Sequence, residues 1–600
     1  MNELALLRRY EPVVCFTQGE LFFPWDVGAY VRQCSLWERD SRGNIMQLCA
    51  AGQLTLEKLG EYDYVPQGRT LYLRFVQEPL DRRAYQRWWQ RPNRPEFRAA
   101  GRLARVGLTA RVLGALTDLS LLARGRVPGG TTAAAEQQYS QAQQANPQFV
   151  YYGRALREGG YIVLHYLYFY PMNNWRSTFY GVNDHEADWE QVLVYLSDEE
   201  TPEPLWVAYA AHDYSGDDLR RRWDDPELEK HAGTHPVVYA GAGSHASYFE
   251  RGEYLMNVQP QFLLPLKKLL HAARVFWTER LGQGNAQELA EQVELALSVP
   301  FVDYARGDGL RVGPGQPVGW TPSLLTPDLR WAESYRGLWG LDTRDPVGGE
   351  RAPAGPKYNR DGTVRQAWYN PLGWAGLNKV VPLAATEPTL RDHIASLEHQ
   401  IAETDLEIER QRGDLRLREL AVRALQESEH VEKLYKAYRD DLAAQEQALN
   451  ALYTHRTELG ETLIACRAYL GGLARRDWGD PQGHIRHKHR PETTSATQRR
   501  IVELWAALSA GLLLLVFALS LVINPENWLV HIAIALSLFV LIEAILRGRV
   551  VNLLLTVTVT LGVVTALILI VEFLNWVLLA VLMVLGGLLI RENLRELRAK

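Results

Sequence analysis

Four apolar runs close this chain: Leu504–Ile523, Trp528–Leu546, Val550–Val571 and Phe573–Ile590. Each approaches the roughly 20 residues that a helix needs to cross a bilayer, and none keeps a polar face for water. They predict four transmembrane helices within 502–600, with the lipid bilayer as partner. Arg486, Lys488, Arg490, Arg499 and Arg500 precede the first run. Arg547 and Arg549 separate the second from the third, and Arg591, Arg595, Arg598 and Lys600 follow the fourth. The other two connections carry no Lys or Arg, so the positive-inside rule places both termini in the cytoplasm of a multi-pass integral membrane protein. Thr556, Thr560, Gly562 and Gly586–Gly587 read as close-packing surfaces, and no row of charges marks an ion path. Anchoring and oligomerisation are favoured over an oligomeric channel gated by the head, which stays as an alternative.

Upstream of a basic linker over 474–501, residues 388–473 fill with Glu, Arg, Gln, Ala and Leu. Leu390, Ile394, Leu397, Ile401, Ile408 and Leu415 share one heptad frame; Tyr438, Leu442, Leu449, Leu452, Leu459, Leu463, Cys466 and Leu470 share another. Sustained apolar a and d positions with charged flanks predict a coiled coil and a homo-oligomer built on it and the bundle. The frame slips between Leu425 and Val431. A stutter in one rod of roughly 130 Å and an antiparallel hairpin both explain the slip.

Residues 1–385 remain for a cytosolic head. Six hundred residues exceed one core, so about three to five structural units are expected. Runs such as PVVCFT, RTLYLRFV, YIVLHYLYFY, QVLVYL, LWVAYAA and HPVVYAGAG, separated by turn residues, predict a β-sandwich with α-helical insertions. The net charge of −5 is too mild for a nucleic-acid binder, and four cysteines without a CxxC fit a reducing compartment. One insertion, 127–149, is low in complexity and is expected to be mobile. The other, 82–126, is basic: Arg98, Arg102 and Arg105 lie on one helical face downstream of Trp88 and Trp89. Such a helix suits anionic lipid headgroups, although its leucines could equally pack on the sandwich.

The stretch NDHEADWE, Asn183–Glu190, sets four acids and a histidine before the strand QVLVYL. With the strand starting near Asp188, Asp188 and Glu190 share one face and Trp189 takes the other, while Asp184, His185 and Glu186 sit on the loop above. Two carboxylates on one face repel unless a cation, a proton or basic groups lie between them. The oxygen-rich set suits Ca²⁺, Mg²⁺ or Mn²⁺, and His185 keeps Zn²⁺ possible. His245, in GAGSHASYF, is the expected long-range partner, with His212 and Asp213 behind it. A divalent-cation site, a metal-dependent hydrolytic site and a hydrogen-bonded turn all stay open. GAGSHAS is not a G-x-S-x-G elbow, and there is no P-loop.

Five stretches occur in order: LLRRYEPVVCFTQGELFFPWDVGAYV, YLYFYPMNNW, NDHEADWEQVLVYL, HPVVYAGAGSHASYF and YRGLWGLDTRDPVGGERAPAGPKYN. Together the set resembles the vacuolar-protein-sorting-associated family named Vps sixty-two, over the head only. That resemblance implies a jelly-roll-like sandwich and a link to membranes or trafficking, with no known reaction. His185, Asp188, Trp189 and Glu190 are also similar to part of the Gly-His-Arg-His-Asp-Trp-Glu core of the necrosis-inducing toxins. In that family the motif helps hold a divalent cation beside a membrane-glycolipid surface. Here Asp184 stands for its Gly and Ala187 for its second His, and the disulfides of those secreted proteins have no counterpart.

Overall fold

The computed structural model describes the chain except residues 1, 64–66, 93–94, most of 96–128, 176–183, 212–213, 259–298, 344–350, most of 549–572, 599–600 and a few positions between 429 and 495. Two compact units emerge. The first joins Met1–Arg98, Leu121–Met256 and Asp303–Glu492; the second joins Ala99–Ser120, Asn257–Val302 and Thr493–Lys600.

In the first unit a six-stranded sheet runs in the order β16-β5-β6-β7-β8-β9. Its strands are β5 (Val150–Glu158), β6 (Tyr161–Asn173), β7 (His185–Ser197), β8 (Pro204–Tyr209), β9 (Arg220–Arg222) and β16 (Thr321–Leu324). Facing it are β10 (Lys230–His231), β11 (His235–Ala240), β1 (Val13–Cys15) and β15 (Arg311–Val312), with β12 (Ser247–Tyr248) paired to β11. Leu164, Tyr166, Tyr168, Tyr170, Val192 and Val194 meet Val14, Val238, Ala240 and Val312 in the core between these two sheets. Leu167, Phe169 and Trp189 point the other way, into a second core with Trp25, Tyr30, Phe75 and Trp339. The central sheet is thus covered on both faces, which explains why β6 reads as a nearly unbroken apolar run, all thirteen residues buried. The sheets are mixed: β1 pairs with β11, and β16 with β5, in parallel. A jelly roll would be antiparallel throughout, so that expectation is not met. A third sheet, β3-β2-β4, uses β2 (Ser35–Arg39), β3 (Ile45–Cys49) and β4 (Thr70–Arg74); β13 (Gly252–Val258) and β14 (Val299–Ala305) form a ribbon.

The segment expected to be mobile over 127–149 is largely a helix, Gly130–Ala145. Its alanines have the highest helix propensity of any residue, and Ala133, Ala135 and Tyr139 are buried. Trp88, expected at a membrane surface, lies at the end of the helix Arg82–Trp89 and donates its indole N–H to Glu136 at 2.7 Å. It is fully buried, whereas Trp89 is exposed. Trp88→Ala should therefore cost about 3–5 kcal/mol, as large aromatic truncations in cores do. Urea unfolding of the detergent-solubilised chain, followed by tryptophan fluorescence, checks this, and an unchanged midpoint would argue that the site is not part of the core. Arg98, Arg102 and Arg105 lie outside the described residues.

The helical region forms a hairpin. Helices Leu383–Gln426 and Glu432–Ala474 run antiparallel, as the pairs Arg456–Asp405, Arg467–Glu398 and Arg418–Asp441 require. The frame slip is its turn, where His430 adopts φ +72°. The basic linker continues onto the sheet: Trp478 and Gly479 accept hydrogen bonds from Arg222, and Gln482 donates to Asp225.

In the second unit two described helices, not the four expected, are long and apolar enough to cross a membrane: Ile501–Ile523 and Trp528–Leu546. Most of the third run lies outside the described residues, and the fourth lies in a helix, Leu574–Arg598, that continues into the charged tail. Within this unit Arg111 pairs with Glu543 at 2.7 Å, and Trp505 and Arg547 each donate to Glu543 at 2.6 Å.

Candidate functional site

β7 begins at His185, three residues earlier than its apolar run suggests, so His185 and Glu186 belong to the strand and not to a loop. Within the strand, Ala187 has a φ of +61°, in the left-handed region that non-glycine residues rarely adopt. That residue stands between two acids, Glu186 and Asp188, whose partners differ. Glu186 is fully engaged by backbone: it accepts from Phe75 N (2.9 Å), Val76 N (2.8 Å) and Leu341 N (3.0 Å). Gly340 permits that approach, since a Cβ there would stand 2.4 Å from Glu186 Cβ. Glu186, expected as a ligand, is thus a clamp joining three segments. Asp184, likewise, accepts from the Thr132 hydroxyl at 2.6 Å.

Past Ala187 the side chains alternate. Asp188 and Glu190 stand opposite Tyr170 and Tyr168 of β6, on the face turned to the second sheet, and Trp189 stands opposite Phe169 in the other core. Asp188 Oδ2 accepts from Asn173 (2.9 Å) and from His245 Nδ1 (3.0 Å), and Oδ1 accepts from Trp189 N (3.1 Å). Burial works to raise the Asp188 pKa; the His245 hydrogen bond, with His185 and Asn173 nearby, more than offsets this and holds it below the usual carboxylate range. Glu190 is the opposite case. It is only partly buried; among the described residues its carboxyl has no hydrogen-bond partner, and desolvation, then the neighbouring Asp188, push its pKa up against the pull of Arg365. Two adjacent acids thus differ by environment.

His185 turns Nδ1 toward the Ala187 carbonyl at 2.7 Å. With Nδ1 donating, Nε2 keeps its lone pair, the orientation of a metal-ligating histidine. His245, which also has a left-handed backbone (φ +59°), stacks flat on Tyr170 at 3.8 Å. Left-handed non-glycine residues on both elements of one site are an observed strain of the kind that collects at functional positions. Three further residues were not singled out by sequence: Glu20, Asn174 and Asp303. Asp303 is fully buried and accepts from Ser244 (2.6 Å) and Tyr248 (2.8 Å). The signal for the first two was available, since each is a polar residue set in an apolar run, in QGELFF and YFYPMNNW. His212 and Asp213 lie outside the described residues.

A divalent cation is the group these residues are expected to hold. Among the described residues no three His, Cys, Asp or Glu side chains are grouped to hold one. The donor types are those such a cation takes: a carboxyl without a hydrogen-bond partner, a second carboxylate beside it and an imidazole whose Nε2 lone pair is left open by the Nδ1 bond.

No curated protein and no solved structure matches the chain. The resemblance to the Vps sixty-two-like family finds no support there. Residues 121–274, about a quarter of the chain and including all of β5 to β12, match the necrosis inducing protein (NPP1) family.

Proposed function

We propose that this chain is a membrane-anchored binding protein whose head holds a divalent cation of the Ca²⁺, Mg²⁺ or Mn²⁺ type through Asp188 and Glu190, with His185 beside them. The observation that carries this reading is Glu190. A carboxyl desolvated next to another carboxylate, without a hydrogen-bond donor, is costly as an anion unless a cation joins it. Hard cations take carboxylates and complete their shells with water and carbonyl oxygens, so two or three side chains suffice. The match of residues 121–274 covers the same stretch, and the resemblance of His185, Asp188, Trp189 and Glu190 to the core of that family implies a cation held there. The hydrolytic alternative needs a substrate to reach the Asp188–His245 pair, and His245 is 1% exposed, which favours holding over turnover.

Anchoring rests on the helices Ile501–Ile523 and Trp528–Leu546, whose Leu504, Leu515, Val522 and Ile534 are exposed. In water this surface would aggregate, whereas in lipid it is satisfied. Self-association through the hairpin is the companion proposal, supported by exposed Leu406, Leu417 and Leu420 along one of its helices.

The test is calcium and manganese titration of the full chain in detergent after chelation, with elemental analysis. One equivalent is expected, and Glu190→Gln should weaken it by at least about tenfold while the melting curve stays cooperative. Equal binding by the variant would remove Glu190 from the site and sink the reading.

A further inference from the structure

We propose that the outward face of the helix Arg82–Trp89 is a docking surface for anionic phospholipid headgroups, on which Arg82, Arg83 and Arg87 meet the lipid charges and Trp89 sits among the headgroups. The face lies outside residues 121–274 and shares no residue with the cation site.

At about 3.6 residues per turn, Ala84, Tyr85 and Trp88 fall on one side of this helix, and Arg82, Arg83, Gln86, Arg87 and Trp89 on the other. Burial follows that division. Trp88 is buried and donates to Glu136 at 2.7 Å, Ala84 and Tyr85 are half-buried, and the five residues of the other side are all exposed. Asp81 caps the helix, accepting from Ala84 N at 2.7 Å. The cap and the Trp88 bond hold the helix against its neighbour Gly130–Ala145, so the outward face is presented ready-formed.

Charge decides what this face fits. No acid occurs between Arg82 and Arg91. A helix face that only meets water is commonly laced with acid–base pairs three or four residues apart, and here there are none. The neighbouring helix adds no counter-charge, since its one acid, Glu136, is buried and accepts from Trp88, Arg91 and Ser140. Among the described residues no acid pairs with Arg82, Arg83 or Arg87.

Trp89 is the second, independent feature. It is 49% exposed, although tryptophan is highly buried on average. Tyr85 and Trp88, each with its ring centroid 6.3 Å away, hold its ring beside the arginines. An indole joins a large apolar body to one polar N–H, which suits it to the headgroup level of a bilayer. Arginines around an exposed tryptophan make the face of an interfacial helix. With a net charge of −5 the chain as a whole is no general polyanion binder. The choice of lipid over other anions rests on the anchoring proposed for Ile501–Ile523 and Trp528–Leu546, which keeps a bilayer within the chain's reach.

The experiment holds the full chain in nanodiscs of phosphatidylcholine, with or without phosphatidylserine, the test lipid carrying brominated acyl chains. Bromine quenches a nearby indole, so the emission lost by wild type beyond that lost by Trp89→Phe reports Trp89. Phosphatidylcholine nanodiscs are also mixed with vesicles of either composition, which covers docking on a second membrane. Trp89 quenching or vesicle capture that requires phosphatidylserine and weakens with salt is expected in at least one arrangement. Arg82→Gln, Arg83→Gln and Arg87→Gln together should abolish the quenching and weaken capture about a hundredfold, from ~fivefold per arginine near an anionic surface. The three corresponding lysine substitutions should largely retain both, because the attraction is to charge. All three arginines are exposed, so the urea midpoint should not move. Equal response to the two lipids, wild-type binding by the glutamine variant, or no response in either arrangement would each overturn the surface. A chain that stays in its nanodisc through that last outcome keeps its anchor and loses only this face.

Discussion

Glu186→Ala is expected to destabilise the head by roughly 3–6 kcal/mol, the largest single-residue effect predicted for this chain. The reason is the clamp. Glu186 joins Phe75 and Val76, just past β4, to Leu341 and to its own strand, so three distant stretches meet at one carboxyl. Truncation leaves three N–H groups without acceptors, and water has no easy route to them, since Glu186 is 3% exposed. Folded domains are stable by only about 5–15 kcal/mol, so the loss is a large fraction of the total. Glu186→Gln keeps one acceptor oxygen and much of the shape, and should fall between the two. Urea unfolding of wild type and both variants, followed by tryptophan fluorescence, reads the order directly. If Ala and wild type unfold at the same midpoint, the clamp is dispensable and the chain compensates elsewhere.

How much of this was legible in the sequence differs by element. The strand character of QVLVYL and the facing of Asp188 against Trp189 follow from a period of two. The meeting of Asp188 with His245 was foreseeable as chemistry, an acid and a base in two loop-to-strand passages. Glu186 was not. Its partners lie about 110 and 155 residues away and are backbone groups, which carry no residue identity for a sequence to display. Nor does any local signal announce a left-handed alanine at 187 inside a strand. The hairpin shows the same division. Its heptads were readable, but whether Leu425–Val431 is a stutter or a turn depends on whether the second helix finds a partner in the first. The ion pairs Arg456–Asp405 and Arg467–Glu398 decide that, and they join residues more than fifty apart. Residues 130–145 were misread for a compositional reason: alanine and glutamine in a row resemble a linker, yet alanine is also what lets a helix lie close against a crowded aromatic core.

The second large effect is a pH dependence that a cation should reverse. In chelator, wild-type stability is expected to fall relative to Glu190→Gln as pH rises from about 4.5. The sign follows from the shift. Glu190 has a folded pKa above its ordinary value, because desolvation and Asp188 disfavour the anion. Between the unfolded and folded values the native state holds the proton that the unfolded chain has released, so raising pH costs native stability through that window. Glu186 is also raised, by burial, and acts in the same direction. Asp188 is lowered, so its contribution is already complete above its ordinary value and is lost only in stronger acid. Burial lowers the pKa values of His165, His235 and His484, which destabilises the fold on acidification and opposes the glutamates. For that reason the quantity to measure is the melting-temperature difference between wild type and Glu190→Gln at each pH, in which the histidines and Glu186 cancel. With chelator, wild type should lose ground as pH rises through the window between the unfolded and the raised folded value. With millimolar Ca²⁺ or Mn²⁺ the trend should invert, because the cation takes the place of the proton and binds more tightly as Glu190 ionises. A difference that stays flat with pH would mean that Glu190 is ionised at no cost, already neutralised by Arg365. A difference that slopes in chelator but ignores the cation would keep the strained carboxyl and discard its ligand.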